Sequence, residues 1–224
     1  MAMSPLFAFA IFLVLLFCHS CAGFSVPSQM SAVPKLIVFD LDKTLWNPDL
    51  ISFCGGFRKD GESGRVLDRL GEEIKLYPDV EGILKVLRTA SIFQETSLAI
   101  ASRTSKTAWA HDVLDLITSP EGDTLDSLFQ YKKVFPGSKT SHFKKLRKDS
   151  KVDYDEMLFF DDWIVNTIEI SNIGVTCQLC DQAGLTWEHF EEGLMQYSNS
   201  KAGKEAKNSA LPVRNQLKRV EQSP

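Results

Sequence analysis

Short apolar runs alternate with amphipathic segments along the central part of the chain. Three runs are almost entirely apolar, as strands buried on both faces are: Lys35–Phe39, Ser97–Ala101 and Met157–Phe160. Val175–Leu179 is predicted to be a fourth strand. Segments with apolar residues three and four positions apart are predicted to be helices: Asp79–Ala90, Thr107–Ile117, Thr140–Lys148, Ile164–Ser171 and Thr186–Met195. Strands that lead into helices predict parallel βαβ units, and therefore a three-layer, Rossmann-like α/β fold with helices on both faces of the sheet.

Two segments fall outside this alternation. Asn47–Pro78 is rich in Gly, Pro and charged residues and has no long apolar face, so it predicts a mobile hairpin or flap over the sheet edge rather than a packed second domain. From Ser198 to Pro224, Ser, Asn, Lys and Gly dominate, which predicts a disordered basic tail or, as the alternative, an interaction tail. The folded domain is therefore expected to span residues 35–197.

The N-terminus predicts a targeting leader. Leu6–Phe17 is apolar but too short to span a bilayer comfortably, and small residues precede Phe24, so residues 1–23 are predicted to be a signal peptide. The lack of Lys or Arg before the apolar run leaves an uncleaved anchor as the alternative. Residues 24–34 contain Ser and no acidic residue, and resemble the second part of plastid leaders in algae with secondary plastids. Entry into the secretory route is expected, with the plastid favoured over secretion or endomembrane residence.

Charge and cysteine content narrow the class of protein. A net charge of −4 gives no general reason to bind nucleic acid, and no membrane span is expected once the leader is cleaved. Outside the leader the cysteines are Cys54, Cys177 and Cys180, an odd number that predicts no complete disulfide framework. Cys177 and Cys180 form a C-x-x-C pattern, but they fall on a predicted strand, where residues three apart point to opposite faces. A redox pair is therefore disfavoured.

Acidic residues follow two of the predicted strands. Asp40 and Asp42 come directly after the first strand, and Asp161 and Asp162 follow a later one. Because the carboxyl ends of parallel strands meet at one edge of the sheet, these four carboxylates are expected to lie close together and to repel one another. A hard dication removes that repulsion, and Mg²⁺ takes oxygen ligands while also contacting substrate phosphate. The pattern predicts a Mg²⁺ site with a phosphorylated substrate.

The other strand ends supply groups suited to phosphate chemistry. Ser102 is placed to donate its hydroxyl to phosphate oxygens, and Lys139 follows a Pro-Gly-Ser turn that aims its charge at the same edge. Thr44 lies two positions beyond the first acidic pair. Together with Ser102 and Lys139, it is predicted to bind the substrate. Asp40 is a candidate nucleophile for an aspartyl-phosphate, and Asp42 a candidate general acid and base.

The quoted motifs VFDLDKTLW, AIASRT, PGSK and LFFDD resemble, in this order, the four motifs of the haloacid dehalogenase (HAD) superfamily. The match is strongest with its magnesium-dependent phosphatase-1 family and covers about Lys35 to Leu194. The resemblance implies a HAD fold with no large cap domain and only a short flap. It further implies Mg²⁺-dependent hydrolysis of phosphomonoesters through an aspartyl-phosphate, on phosphotyrosine or small sugar phosphates.

The resemblance also implies a role for each motif residue. The metal would be held by carboxylates from two motifs, and by a backbone carbonyl from the first. The roles carried over are these: Asp40, nucleophile and Mg²⁺ ligand; Asp42, acid/base and Mg²⁺ ligand through its carbonyl; Ser102, phosphate binding; Arg103, beside the substrate; Lys139, charge balance; Asp161, direct Mg²⁺ ligand; Asp162, Mg²⁺ ligand directly or through water.

Two departures from the family pattern bear on activity. Trp163-Ile164-Val165 stands before Asn166 where relatives carry an acidic residue and a basic stretch, and Lys43 stands where relatives often carry Tyr. Loss of these polar residues would remove groups that orient the metal ligands, which lowers metal affinity or activity. A non-catalytic HAD-fold protein that binds phosphate or metal is therefore the alternative to an enzyme. A signalling receiver domain is disfavoured, because Ser rather than Asp ends the second recognisable strand.

Four other residues near these motifs are not expected to take part in the chemistry directly, or are only alternatives to a residue already named. Lys132 and Lys133 compete with Lys139 as the charge-balancing lysine, although neither follows the turn. His142 is expected to be a packing or surface residue, since oxygen ligands suffice for Mg²⁺. Trp46 is expected either to line the mouth of the site or to pack beneath the flap.

Overall fold

The computed structural model describes residues 30–119 and 122–220, with residues 204–220 as backbone only. Its strands are β1 (Leu36–Phe39), β2 (Trp46–Asn47), β3 (Arg58–Lys59), β4 (Val66–Leu67), β5 (Glu73–Leu76), β6 (Ser97–Ser102), β7 (Tyr131–Val134), β8 (Met157–Asp161) and β9 (Thr176–Leu179). Its helices are α1 (Val80–Thr89), α2 (Thr107–Leu116), α3 (Leu125–Leu128), α4 (Lys139–Ser150), α5 (Ile164–Ser171) and α6 (Trp187–Val220). The predicted strands and helices are present, with ends that shift by a few residues except at α6.

A parallel sheet with the order β7-β6-β1-β8-β9 forms the centre of the molecule. β1 lies in the middle, with Leu36 opposite Ser97 of β6 and Met157 of β8. Ile37 and Phe39 pack into one apolar cluster with residues of α1, α2 and α6, whereas Leu36 and Val38 pack into a second cluster with residues of α4 and α5. Consecutive apolar residues in β1 therefore serve two opposite cores, and the predicted three-layer α/β architecture is confirmed.

The two cysteines of the C-x-x-C pattern are divided between these cores. Cys180 packs into the same cluster as Phe39, and Cys177 packs against the other one. Both side chains are free thiols. Their placement on opposite sides of the sheet agrees with the expectation from strand geometry.

The sequence pattern missed strand β7. Its residues, Tyr-Lys-Lys-Val, lack an apolar run because the strand lies at the edge of the sheet, where charged side chains are tolerated. Lys132 pairs with Asp126 at 2.7 Å, and Lys133 pairs with Asp149 at 2.6 Å. These two lysines are thus engaged in ion pairs away from the acidic strand ends.

The segment predicted as a flap is a small antiparallel sheet with the order β2-β5-β4-β3 rather than a simple hairpin. Its buried side chains join the main core: Leu50, Phe53, Val66 and Ile74. Asp68 is also buried, and it accepts backbone N–H groups of Cys54, Leu70 and Glu72, which secures the turns of the segment. Within residues 47–78, all of which the structure describes, the chain forms this small sheet and no separate cap domain.

The C-terminal segment corrects one prediction. Disorder was expected from Ser198 onward, but α6 continues to Val220. Phe190, Leu194 and Tyr197 anchor the first turns of α6 in the core, so the helix is already nucleated where the polar segment begins. Ala, Lys, Glu and Gln in this segment have favourable helix propensity, whereas Pro212 has no backbone N–H and adds no helical hydrogen bond.

The predicted signal peptide, residues 1–23, lies outside the described residues, as does most of the candidate transit segment 24–34. Of that segment Ser31 lies beside α6, where its backbone N–H donates to Ser198 Oγ at 2.9 Å. Within the part of the chain that the structure describes, none of the helices combines the length and apolar character needed to cross a bilayer.

Candidate active site

The carboxyl ends of the three central strands meet at one cavity. Asp40 follows β1, Ser102 ends β6 and Asp161 ends β8, and the pairing of β1 with both neighbours sets Asp40 between the other two. The open cavity has a volume of about 510 Å³. Its lining includes Asp40, Ser102, Lys139 and Asp162. The convergence expected from the parallel fold is therefore present.

Three carboxylates form the acidic cluster of this cavity. Asp40, Asp161 and Asp162 each offer an oxygen, and these oxygens lie within 4.8 Å of one another. Asp40 and Asp161 are buried, and Asp162 is half-buried. Burial raises the pKa of Asp40 to about 7 and, with the adjacent charge of Asp161, that of Asp162 to about 6. A buried donor set made only of oxygen fits a hard cation such as Mg²⁺.

Lys139 balances part of this negative charge. Its side chain is fully buried at the start of α4, and Nζ lies 2.7 Å from Asp40 Oδ1 and 2.8 Å from Asp161 Oδ2. Nζ also donates to the carbonyl of Ala101. Ser138 precedes it as the N-cap of α4 and accepts the N–H of Thr140. These contacts place Lys139, rather than either lysine of β7, beside the acidic cluster.

Asp42 lines the cavity, but its carboxylate binds groups outside the acidic cluster. Its Oδ1 accepts the indole N–H of Trp46 at 2.8 Å and the backbone N–H of Leu50 at 3.0 Å. The Asp42 carboxylate is therefore not in the metal-binding set, and only its backbone carbonyl remains for the ligand role that the family resemblance implies. Burial raises the pKa of Asp42, although the hydrogen bond from Trp46 lowers it in part. A carboxyl group that retains its proton to higher pH suits a general acid.

Trp46 is fully buried and does not line the cavity. Of the two positions expected for it, packing beneath the flap is correct and lining the mouth is wrong. Its indole holds Asp42 in place, a contact that the sequence pattern did not predict.

His142 links three segments that build the cavity. Its Nε2 lies 2.9 Å from the carbonyl of Ser102 and 2.8 Å from that of Phe135, and Nδ1 lies 2.9 Å from that of Ser138. The ring is fully buried and stacks on Phe135, and burial lowers its pKa. His142 is a packing residue, as expected, but it packs directly behind Ser102 and Lys139. Its position one helical turn after Lys139 was the available signal.

The amino-acid sequence is similar to those of known phosphatases. The model of the Acid Phosphatase family matches residues 32–200. The chain is 33% identical over 174 residues to human "Magnesium-dependent phosphatase 1", covering 78% of this chain and 93% of the human protein. The chain belongs to the acid phosphatase family. The resemblance of its motifs to the HAD superfamily is thereby confirmed, and so is the prediction of a phosphatase.

Two further similarities support the assignment to the acid phosphatase family. A HAD-like hydrolase superfamily protein of Schizosaccharomyces pombe is 39% identical over 148 residues, covering 64% of this chain and 83% of the relative. Among solved structures, a magnesium complex of a HAD family enzyme from Bacteroides thetaiotaomicron has a TM-score of 0.51 at 16% identity, covering 71% of this chain and 98% of the other. At that identity, the similarity confirms the fold.

Asn166 is a residue of the acid phosphatase site that the motif comparison did not assign. Its Nδ2 donates to both carboxylate oxygens of Asp161, at 2.9 and 3.0 Å, and its Oδ1 accepts Arg103 Nη1 at 3.0 Å. The backbone N–H of Trp163 also donates to Asp161, at 2.8 Å. Although the Trp163-Ile164-Val165 segment departs from the family pattern, Trp163 and Asn166 still form hydrogen bonds that orient Asp161.

Thr44 takes a different place from the one predicted. Its side chain is fully buried and is absent from the cavity lining, and its carbonyl accepts the N–H of Leu185 at 2.9 Å. Among the described residues, Thr44 Oγ1 has no hydrogen-bond partner. Thr44 is therefore not part of the cavity wall, and the geometry offers no support for the predicted contact with substrate.

Proposed function

We propose that this phosphatase is a Mg²⁺-dependent phosphomonoesterase that acts through an aspartyl-phosphate on Asp40. The observation that carries the proposal is the cluster of Asp40, Asp161 and Asp162 at the strand ends beside the cavity, with Lys139 bound to two of its members. Membership of the acid phosphatase family and the name of the human relative support the same function.

Mg²⁺ would be held by Asp40, Asp161 and Asp162, together with the backbone carbonyl of Asp42. When bound, it supplies positive charge that neutralises the phosphoryl oxygens of the substrate. Asn166 keeps both oxygens of Asp161 in a defined orientation through its two hydrogen bonds. The alternative, a non-catalytic binding protein, was motivated by the Trp163–Val165 segment, and these retained contacts favour the enzyme.

In the first step, a carboxylate oxygen of Asp40 attacks phosphorus while the bond from phosphorus to the ester oxygen breaks. Lys139 binds only Oδ1 of Asp40, so the second oxygen is free of that contact. Asp42 gives its proton to the departing alkoxide or phenolate. The Ser102 hydroxyl and the Lys139 ammonium stabilise the charge on the phosphoryl oxygens.

In the second step, water attacks the phosphorus of the aspartyl-phosphate. Asp42, now a carboxylate, takes a proton from that water, inorganic phosphate leaves, and the Asp40 carboxylate is restored. The substrates proposed are phosphotyrosine-type esters or small sugar phosphates. An open cavity, with no separate cap domain among the residues that the structure describes, is compatible with both classes.

Steady-state phosphate release from 4-nitrophenyl phosphate, with Mg²⁺ or with EDTA, tests the proposal. Asp40→Asn removes the nucleophile and should lower kcat by on the order of 10⁴-fold or more. Asp149→Asn is the matched control, since it makes the same change in an exposed ion pair with Lys133. Turnover that survives in Asp40→Asn contradicts the covalent mechanism. A wild-type protein that binds Mg²⁺ and vanadate but releases no phosphate supports the non-catalytic alternative.

The substrate class is decided by a second measurement. Values of kcat/KM for phosphotyrosine peptides and for sugar phosphates are compared on the same Mg²⁺-loaded protein. A preference of about 100-fold or more for one class, which is about 2.7 kcal/mol of transition-state binding, would assign it.

A further inference from the structure

Three cationic side chains line the cavity, and two of them are neutralised by carboxylates. Lys139 binds Asp40 and Asp161, and Lys43 pairs with Asp49 at 3.0 Å. The third is Arg103, which makes no ion pair with a carboxylate among the described residues. A charge that is left uncompensated on the wall of a binding cavity is available to a ligand.

Neutral groups hold Arg103 in place. Asn166 accepts a hydrogen bond from Nη1 at 3.0 Å, and the guanidinium lies 5.2 Å from the centre of the Trp163 ring. A guanidinium carries five N–H donors, so one contact with Asn166 leaves most of them for other partners. The stacking on Trp163 and the bond to Asn166 orient the group without cancelling its charge.

Arg103 lies further out than the groups that serve the transferred phosphoryl group. Ser102 and Lys139 are buried at the base of the cavity, whereas Arg103 is exposed and Trp163 is 49% exposed. A substrate whose phosphate reaches Asp40 would therefore place its leaving group, rather than its phosphate, near Arg103.

We propose that Arg103, oriented by Trp163 and Asn166, forms a subsite for a second anionic group on the leaving group of the substrate, such as a carboxylate or a second phosphate. This inference deepens the proposed function and rests on it. Trp163 is a positioning residue here, because it holds the guanidinium and leaves its charge unpaired. An acidic residue at position 163 would instead occupy Arg103 within the protein.

The experiment compares isosteric esters that differ by one charge. The probes are 3- and 4-carboxyphenyl phosphate and the corresponding carbamoylphenyl phosphates, and the readout is the carboxylate-to-amide ratio of kcat/KM with saturating Mg²⁺. Trp163→Glu supplies an internal partner for Arg103. Trp163→Gln changes the same side chain without charge, and Ile164→Glu adds the same charge at a residue that is also 49% exposed.

In the wild type, at least one carboxylate ester should be favoured by about tenfold, as a charge-assisted hydrogen bond predicts, and mainly through KM. Trp163→Glu should remove that preference, Trp163→Gln should reduce it less, and Ile164→Glu should keep it within about twofold. Comparing ratios between variants cancels the difference in leaving-group reactivity.

Any one of three results would contradict the proposed subsite. The wild type could show no preference at either ring position. Arg103→Met could lower the rates of carboxylate and amide esters equally, which would assign Arg103 to the transferred phosphoryl group. Trp163→Glu and Ile164→Glu could reduce the ratio equally, which would indicate a general effect of charge. Lack of turnover with every ester contradicts the proposed function itself, and the subsite with it, whereas the other results leave phosphatase activity intact.

Discussion

Replacing Lys139 with Met tests the electrostatic basis of the site. The substitution keeps most of the side-chain volume but removes a fully buried ammonium that lies 2.7 Å from Asp40 and 2.8 Å from Asp161. Two buried carboxylates then lose their cation. Removal of one partner from a buried ion pair costs about 3–5 kcal/mol, a large part of the 5–15 kcal/mol by which a domain of this kind is stable.

The assay is equilibrium unfolding in urea, followed by tryptophan fluorescence in EDTA at pH 8. Lys133→Met is the matched control, because Lys133 forms an ion pair of similar length, 2.6 Å, with the exposed Asp149. Exposed pairs contribute little, so the control should lose only a small part of what Lys139→Met loses. Equal losses in the two variants would refute the argument from burial.

The pH dependence of this loss follows from the pKa of Asp40. Burial raises the pKa of Asp40 to about 7 even though Lys139 lowers it. The native Lys139→Met variant should therefore hold a proton on Asp40 to still higher pH. Its native state then binds more protons than its unfolded state, and acidification stabilises it relative to the wild type. The difference in unfolding free energy should therefore shrink between pH 8 and pH 5. A difference that stays constant over this range would contradict the assignment.

Mg²⁺ provides a further check on the same variant. Because Lys139 and the metal neutralise the same carboxylates, Lys139→Met should bind Mg²⁺ at least as tightly as the wild type, as measured by calorimetry at pH 8, while its turnover is lost. Markedly weaker binding would mean that Lys139 orients the ligands more than it competes for their charge.

Two other predictions concern protons at the site. The apparent affinity for Mg²⁺ should rise from pH 5 to pH 8, because Asp162 and Asp40 hold protons to about pH 6 and about pH 7. Calorimetry in buffers of different ionisation enthalpy should detect the protons released on binding. An affinity that does not change with pH would contradict this prediction. Trp46→Phe removes a hydrogen bond that lowers the pKa of Asp42, so the alkaline limb of the kcat/KM profile should move up by about one pH unit, and an unmoved limb would argue against Asp42 as the acid.

The sequence alone determined the architecture and the set of groups at the centre of the site. Apolar runs of four and five residues specify buried parallel strands, and such strands bring their carboxyl ends to one edge wherever their helices pack. Asp40, Ser102 and Asp161 therefore had to converge, and the Pro-Gly-Ser turn before α4 directed Lys139 to the same place. These conclusions depend on local periodicity and on the handedness of βαβ units, both of which are present in a single sequence.

Only the tertiary structure decided which side chains touch. The orientation of Asp42 depends on Trp46 and on the flap segment. The contacts of Asn166 depend on how α5 packs against β8 and on the position of Arg103, which follows β6. The sequence pattern did not predict strand β7, because an edge strand needs few apolar residues. It also did not predict the full length of α6, because packing of the first turns against the core nucleates a helix that the polar composition alone does not indicate. Contacts between segments far apart in the chain are set by packing, and no local pattern records them.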